Sequence, residues 1–320
     1  CLRGAHAPSI SAALGSVQFL ESPMPHRTTR TLALLALAGA AGLAPTHGAA
    51  AADTPRDAEY VSLGDSYVAV GSNLNTYNRD PDCGTAPDNV GHLVAAQLHG
   101  VSFDDRACGG ADTSDITSTT TRSDPQIDGL SPKTRYVSIS LGGNNDNVFG
   151  EIVNNCLMAS HPADTCTPQF RADEARKLDD LGQTLDSAYT AIRTKAPNAT
   201  IIVLGYTRIL PDSVQGCFAA PMITQSLVDI GNDLQHQLDD VVTAAARRAG
   251  FVMVNQWDAQ DDHHSICAPL GQTYVSMTGL LPTEQGTPVH PTIQGRRYAA
   301  QLIAHAFLAT TNTRQTTPTG

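Results

Sequence analysis

The sequence predicts an α/β fold in which a parallel sheet is covered by helices on both faces. After residue 58, short apolar runs alternate with longer segments whose apolar residues recur every three or four positions. Strands separated by helices are joined by crossovers, and crossovers place helices on the faces of the sheet. The five predicted strands cover residues 60–63, 101–103, 136–141, 200–205 and 251–254.

Two long segments carry the clearest helical periodicity. Apolar residues recur at three- and four-residue steps over residues 178–192 and again over residues 227–245, and Gly250 marks the end of the second helix. Shorter helices are predicted at residues 89–99 and 292–308. The strands and helices therefore alternate along the whole domain, as a parallel sheet requires.

One globular domain is expected at residues 53–310, preceded by a segment that is removed. The first methionine, Met24, begins a basic stretch that is followed by the apolar run 32–44 and by alanines just before Asp53. This order is typical of a secretion signal, and the run is shorter than the ~20 residues that a membrane-spanning helix needs. We expect export, cleavage near Asp53 and no stable membrane anchoring.

The ends of the chain and its charge narrow the possible partners. Residues 1–23 are expected to lie upstream of the true start, so that 1–52 are absent from the mature protein, and the polar tail 311–320 is expected to be disordered. The 31 acidic and 20 basic residues give a formal net charge of −11. Because nucleic acids and anionic lipids bind clustered Lys and Arg, we expect neither as a partner. We also expect a monomer.

The cysteines indicate disulfides. Of the seven cysteines, Cys1 lies in the segment expected to be removed, and six cysteines in an exported domain favour disulfide bonds. The pairing stays open at this point, and a zinc site is disfavoured because no pair has CxxC spacing. Cys217 and Cys267 lie in two irregular stretches, 206–220 and 255–290, of a length that is usually functional or cross-linked.

Ser66 follows the first predicted strand in the stretch YVSLGDSYVAVG. A serine at the carboxyl end of a strand can expose its hydroxyl in a tight turn whose amides point at a developing oxyanion. A serine in this position can equally cap a helix. Position alone does not choose between a nucleophile and a helix cap.

Three further segments favour a catalytic serine. RACGGADTSDI places Gly110 after the second strand, ISLGGNNDNVF places Asn144 after the third, and TPVHPTIQGRR places His290 before the last helix. The carboxyl ends of parallel strands share one edge of the sheet, where ligands bind. With Ser66, these segments supply a nucleophile, a backbone N–H donor, a side-chain amide donor and a base.

With these four blocks in order, the chain resembles the GDSL/SGNH hydrolases, specifically their secreted actinobacterial lipase and esterase branch, over about residues 60–308. The resemblance implies a three-layer α/β/α fold with a small flavodoxin-like parallel sheet. It implies an ester hydrolase in which Ser66 attacks the carbonyl and His290 takes the proton, with no metal or organic cofactor. The Ser66 N–H, the Gly110 N–H and the Asn144 side chain would bind the oxyanion.

The resemblance also implies disulfides and a substrate class. The implied bridges join consecutive cysteines: Cys83–Cys108, Cys156–Cys166 and Cys217–Cys267. The family branch acts on lipid-type and polyester esters, whereas related members deacetylate carbohydrates. Because the chain has one tryptophan, Trp257, and few aromatic residues with which to stack sugars, we favour lipid-type esters and keep a carbohydrate or polyester esterase as the alternative.

Two positions depart from the family pattern. Thr287 stands where an Asp usually orients the histidine; relatives in the secreted branch use a main-chain carbonyl there, so we expect the Thr287 C=O to accept from His290 Nδ1 and Pro288 to fix its direction. If the acid is simply lost, the chain could be a non-catalytic lipid- or glycan-binding protein. GGNND replaces GGND, and counting from Phe149 favours Asn144 as the oxyanion donor, with Asn145 as the alternative.

Other polar residues near these motifs have structural interpretations. Asp65 is expected to hold the turn before Ser66 through backbone hydrogen bonds. Asp261, Asp262, His263 and His264 form a cluster that could ligate a metal, but adjacent ligands point in different directions and no further ligand has helical spacing. We expect a solvated loop there and no metal site.

Overall fold

The computed structural model describes residues 57–73, 81–157, 159–218, 223–259 and 262–316. The expected secretion signal and its cleavage near Asp53 lie outside the described residues. The strands are β1 Tyr60–Gly64, β2 Phe103–Asp105, β3 Tyr136–Ser140, β4 Thr200–Leu204, β5 Val252–Val254, β6 Val275–Ser276 and β7 His290–Pro291. The helices are α1 Ser66–Ala69, α2 Val90–Gln97, α3 Val148–Ile152, α4 Pro162–Thr165, α5 Pro168–Lys195, α6 Gln225–Arg248, α7 Gln256–Ala259 and α8 Ile293–Thr316, and a π-helical turn, Val153–Leu157, follows α3.

The central sheet has five parallel strands in the order β2-β1-β3-β4-β5. This is the flavodoxin-like strand order, in which the chain starts near the centre of the sheet and winds outwards in both directions. The predicted α/β class and parallel sheet are therefore confirmed. A separate antiparallel pair, β6 with β7, carries His290 opposite Ser276.

Alternate residues of each strand pack against different helices, which makes three layers. In β1, Val61 and Leu63 belong to the core cluster that contains the apolar faces of α5 and α6. Tyr60, one residue away, belongs to the cluster formed with α2 and α8. Because side chains alternate across a strand, a strand buried on both faces is apolar throughout, as the run in β1 is.

The edge strand β2 is displaced by two residues from the predicted segment 101–103. Tyr60 pairs with Phe103, so the strand includes two aspartates. Asp104 is buried, and its carboxylate accepts a hydrogen bond from Arg106 Nε at 2.7 Å. This ion pair offsets the cost of burying the Asp104 carboxylate in the edge strand. The composition of the segment does not reveal the pair.

The last helix is longer than the pattern indicated. α8 continues to Thr316, so residues 311–316, expected in a disordered tail, are helical, while 317–320 lie outside the described residues. The segment is polar, but it contains neither Gly nor Pro before Pro318 to stop a helix. Among the described residues, no helix is long and apolar enough to cross a membrane.

Three disulfides close loops around the domain: Cys83–Cys108, Cys156–Cys166 and Cys217–Cys267. These are the pairs that the resemblance implied. The third bridge spans 50 residues and joins the two irregular stretches, 206–220 and 255–290. The first bridge holds the loop before α2 against the glycine pair after β2. The Gly109 N–H adds a hydrogen bond to the Cys83 carbonyl at 2.8 Å.

Candidate active site

The turn that presents Ser66 depends on a glycine at the end of β1. Gly64 has φ +131°, and a Cβ there would lie 2.2 Å from the Ser140 carbonyl oxygen of the neighbouring strand. Asp65 caps α1, since its carboxylate accepts from the Tyr67 N–H at 2.9 Å. Asp65 is therefore the helix cap and holds the turn through a backbone hydrogen bond, as expected. Ser66 is the first residue of the helix.

The Ser66 hydroxyl faces His290. Ser66 Oγ lies 2.8 Å from His290 Nε2, although the two residues are 224 positions apart in the chain. The other ring nitrogen, Nδ1, lies 2.7 Å from the Pro288 carbonyl oxygen. A carbonyl can only accept, so Nδ1 carries the proton and Nε2 presents its lone pair to the serine hydroxyl.

The carbonyl that orients His290 belongs to Pro288, and the expectation for Thr287 is wrong. The Thr287 carbonyl accepts the backbone N–H of His290 at 3.0 Å, and its hydroxyl donates to the Gly71 carbonyl at 2.9 Å. The turn that starts at Thr287 commits its carbonyl to the main chain. The next carbonyl, that of Pro288, then lies within hydrogen-bond distance of His290 Nδ1.

Val289 holds this turn in a strained conformation. Its φ is +57°, which is unfavourable for a β-branched residue. The Val289 N–H donates to the Ser276 carbonyl at 2.6 Å, and its own carbonyl accepts from the Tyr67 hydroxyl at 2.9 Å. The Tyr67 ring also packs 5.1 Å from the His290 ring, centroid to centroid. Both sides of the strained residue are therefore fixed by buried hydrogen bonds.

The Gly109–Gly110 peptide is oriented by an arginine. Arg122 donates from Nη1 to the Gly109 carbonyl and from Nη2 to the Gly110 carbonyl, the latter at 3.1 Å. Gly110 has φ +76°, and a Cβ there would lie 2.6 Å from the guanidinium. In a planar trans peptide the N–H points away from the preceding carbonyl, so the arginine sets the direction of the Gly110 N–H.

The two candidate asparagines have different partners. The Asn144 amide nitrogen donates to the Ala111 carbonyl at 2.9 Å, which holds the amide beside the Gly110 peptide and leaves its second hydrogen for a ligand. Asn145 faces Thr113 with both ends of its amide: Nδ2 lies 2.7 Å from the hydroxyl, and Oδ1 accepts the backbone N–H at 3.3 Å. This arrangement favours Asn144 as the oxyanion donor.

A buried hydrogen-bond chain links the serine turn to the loop after β3. The Tyr206 hydroxyl donates to Asp65 Oδ2 at 2.5 Å and accepts the Gly143 N–H at 2.8 Å. Asp65 is 1% exposed, and burial raises its pKa to about 7, although the bonds from Tyr206 and the Tyr67 N–H lower it. One tyrosine therefore couples the turn that carries Ser66 to the loop that carries Asn144.

His264, in the histidine cluster of the second irregular stretch, has partners within that stretch. Asp261 lies outside the described residues. The His264 ring stacks on Tyr274 with a centroid distance of 3.9 Å, and its Nδ1 lies 2.7 Å from the Gln272 carbonyl oxygen. Within the described ranges, no group of three or more His, Cys, Asp or Glu side chains is placed to hold a metal ion.

Comparison with known proteins identifies the family. The model of the GDSL-like lipase/acylhydrolase family matches residues 62–298, which include every site residue described above. The chain belongs to the GDSL-like lipase/acylhydrolase family. It is therefore a carboxylic ester hydrolase of the lipase and esterase type, as the motif blocks indicated.

Relatives of this GDSL-like hydrolase come from Streptomyces. Lipase 1 of Streptomyces coelicolor is 31% identical over 268 residues, covering 83% of this chain and 92% of the relative. The crystal structure of phospholipase A1 from Streptomyces albidoflavus has a TM-score of 0.63 at 29% identity, covering 79% of this chain and 99% of that one. The extracellular lipase of Streptomyces rimosus has a TM-score of 0.61 at 27% identity, covering 78% and 99%.

Three side chains at the site of this GDSL-like hydrolase escaped the sequence analysis. The Gln126 side chain accepts a hydrogen bond from the Gly64 N–H at 2.8 Å and donates one to the Gly64 carbonyl at 2.9 Å. The other two are Arg122, which binds the Gly109 and Gly110 carbonyls, and Tyr206, which links Asp65 to Gly143. Arg122 lies in a loop and Gln126 begins the short 3₁₀ helix Gln126–Gly129, and no periodicity or motif marks either residue. Tyr206 could have been found, because it follows β4 at the edge of the sheet that carries Ser66.

Proposed function

We propose that this protein is a secreted lipase or esterase that works through a Ser66–His290 dyad and an acyl-enzyme. The observation that carries the proposal is the 2.8 Å contact between Ser66 Oγ and His290 Nε2, with Nδ1 held by the Pro288 carbonyl. A non-catalytic binding protein would not require this geometry. The loss of the family Asp at Thr287 is compensated by a neighbouring carbonyl.

Acyl transfer proceeds in two steps, acylation of Ser66 and hydrolysis of the acyl-enzyme. Ser66 Oγ bonds to the ester carbonyl carbon while His290 Nε2 takes the hydroxyl proton; the intermediate then collapses, the ester C–O bond breaks, and His290 returns the proton to the leaving alcohol. Water then attacks the acyl-enzyme as His290 takes its proton, and the acid leaves as Ser66 regains its hydrogen. A neutral carbonyl stabilises the imidazolium less than a carboxylate, which lowers the rate relative to a full triad.

The oxyanion would be held by three donors: the N–H of Ser66, the N–H of Gly110 and the side-chain amide of Asn144. The contact from Arg122 to the Gly109 carbonyl and the contact from Asn144 to the Ala111 carbonyl support this assignment, because each fixes the direction of a donor. Removing one donor from such a site typically costs about 10²- to 10³-fold in rate. Asn145 is engaged with Thr113, which disfavours it as the donor.

Lipid-type esters are the favoured substrates. The named relatives are lipases and a phospholipase A1 from Streptomyces, and they are matched over nearly their whole length. One face of the lone tryptophan is covered, since Arg208 lies 4.8 Å from the centroid of the Trp257 ring. The three disulfides support export to an oxidising environment. Removal of residues 1–52 by cleavage near Asp53 is part of the proposal and rests on the sequence pattern alone.

The test uses the mature chain with p-nitrophenyl acetate and p-nitrophenyl butyrate. The wild type is expected to release p-nitrophenol, whereas Ser66→Ala loses at least about 10³-fold in kcat. Ser118→Ala, at an exposed serine outside the site, is the matched control and keeps wild-type rates. Equal turnover by Ser66→Ala and the wild type, or by neither, would overturn the proposal.

A further inference from the structure

The segment that carries His290 is held at both ends by one buried arginine. Arg296, in α8, is fully buried, and its guanidinium donates to the Gln285 carbonyl at 2.8 Å and to the Pro291 carbonyl at 2.9 Å. It also binds Asp88, before α2, through the carboxylate at 2.6 Å and the main-chain carbonyl at 2.9 Å. These hydrogen bonds offset the cost of burying the guanidinium. They also fix both ends of the histidine segment relative to α2 and α8.

The same ion pair is connected to α1, the helix of the catalytic serine. Asn89, next to Asp88, donates from Nδ2 to the carbonyl of Ala69, the last residue of α1, at 3.0 Å. Gly71 follows α1 so closely against the Asp88 carboxylate that no room is left for a Cβ there. The serine helix and the ends of the histidine segment therefore meet at one acidic residue.

Between its two ends, the histidine segment is tied to the chain that leaves α1. The Thr287 hydroxyl donates to the Gly71 carbonyl at 2.9 Å, and it lies 3.3 Å from Asn73 Oδ1. The backbone N–H of Asn73 donates to the Gly286 carbonyl at 3.0 Å. Thr287 thus provides a side-chain link between the two segments that carry Ser66 and His290.

This link lies beside the strained part of the turn. Val289 has a φ of +57°, and a strained residue of this kind costs about 1–3 kcal/mol and persists only where its surroundings hold it. Relaxation of that φ would rotate the peptide between Pro288 and Val289. The Pro288 carbonyl, which lies 2.7 Å from His290 Nδ1, belongs to that peptide. A tie at Thr287 therefore acts on the orientation of the imidazole.

We propose that Thr287 is a positioning residue, whose hydroxyl keeps His290 at hydrogen-bond distance from Ser66. The inference rests on the proposed function, because it concerns the geometry of that pair. The partners of the hydroxyl, the Gly71 carbonyl and Asn73 Oδ1, are both oxygen atoms that accept hydrogen bonds. The position therefore requires a donor and disfavours a carboxylate.

The first measurement compares kcat and KM of the wild type and Thr287→Val with p-nitrophenyl butyrate. Valine has nearly the shape of threonine but no hydroxyl, so kcat is expected to fall by about 10- to 10²-fold while KM stays within about twofold. Thr287→Ser keeps the hydroxyl and is expected to retain most of the wild-type kcat. An unchanged kcat in Thr287→Val, or an equal loss in Thr287→Ser, would overturn the inference.

The matched control is Thr184→Val. It also removes a hydroxyl that donates to a main-chain carbonyl, that of Leu181 at 2.9 Å, but on α5, outside the site. Its kcat is expected to equal that of the wild type. If Thr184→Val loses as much kcat as Thr287→Val, the loss is a general effect of removing a hydroxyl, and the inference is wrong.

Thr287→Asp asks whether position 287 simply lacks an acid. A carboxylate there would face two acceptor oxygens, which repel it, so kcat is expected to fall at least as far as in Thr287→Val. A kcat above that of the wild type would show that an acid at this position orients the histidine better than the present turn does. That result would overturn the inference.

Crystal structures of Thr287→Val and Thr184→Val give a readout that does not depend on turnover. The distance from Ser66 Oγ to His290 Nε2, 2.8 Å here, is expected to exceed about 3.5 Å in Thr287→Val and to stay unchanged in Thr184→Val. An unchanged distance in Thr287→Val would overturn the inference, while ester hydrolysis by the wild type would leave the proposed function intact. Conversely, a wild type that hydrolyses no ester refutes the proposed function, and the distance still decides whether Thr287 positions His290.

Discussion

Replacing Asp65 by Asn should flatten part of the dependence of stability on pH. The Asp65 pKa rises from 3.8 to about 7 on folding, because the carboxyl is fully buried. A raised pKa means that the folded protein holds this proton more tightly than the unfolded chain does. The contribution of Asp65 to stability is therefore fully present below about pH 4 and is lost as the pH rises towards 7.

The magnitude follows from the size of the shift. A difference of roughly three pKa units, at about 1.4 kcal/mol each, corresponds to on the order of 4 kcal/mol between about pH 3 and pH 8. Asn has the same shape as Asp and cannot ionise, so Asp65→Asn lacks this loss. The free energy of unfolding of the wild type relative to Asp65→Asn should thus fall by several kcal/mol across that range.

Urea unfolding of both proteins at about five pH values from 4 to 8, with disulfides intact, measures the difference. A difference that stays constant within about 1 kcal/mol would refute the burial argument. Tyr206→Phe provides an independent check, because the tyrosine hydrogen bond lowers the Asp65 pKa. Without that bond, the loss of stability should be centred at a higher pH than in the wild type.

Three further substitutions test the site and the fold. Arg122→Leu frees the Gly109–Gly110 peptide, so kcat should fall by up to about 10²-fold with KM nearly unchanged, and an effect on KM alone would contradict the orienting role. Gly64→Ala places a Cβ 2.2 Å from a neighbouring carbonyl and should lower the free energy of unfolding by about 3 kcal/mol or more, measured by thermal unfolding. Gly100→Ala is the control, since Gly100 also has a positive φ, +79°, but has open space around it, and it should lower the free energy of unfolding clearly less. Replacing Cys217 and Cys267 by Ser opens a 50-residue loop and should lower stability by about 4 kcal/mol in the chain-entropy model; an unchanged Tm would contradict it.

The sheet was predictable because its signal is local. The strands around residues 60–63 and 136–141 are continuous apolar runs, and burial on both faces requires that pattern. β2 was misplaced, because its register depends on the pairing of Tyr60 with Phe103 and on an ion pair that buries Asp104. Neither interaction leaves a periodic pattern in the sequence.

The site was predictable in its parts and not in its connections. Ser66, Gly110, Asn144 and His290 each lie where a strand or loop meets a helix, and the topology of a parallel sheet brings those points together. The role of Pro288 was missed, because it depends on a left-handed φ at Val289 that the type of residue disfavours. Strain of this kind is held by tertiary hydrogen bonds and is invisible in the chain.

The α/β class, the order of the motif blocks and the chemistry that a serine and a histidine can perform can all be read from the residues along the chain. These features follow from residue types and their spacing, which are local properties. Three connections emerge only on folding: Pro288 orients His290, Tyr206 joins Asp65 to the loop of Asn144, and Arg122 aims the Gly110 N–H. Each of these depends on atoms brought within hydrogen-bond distance by folding, and such distances have no counterpart in the spacing of residues along the chain.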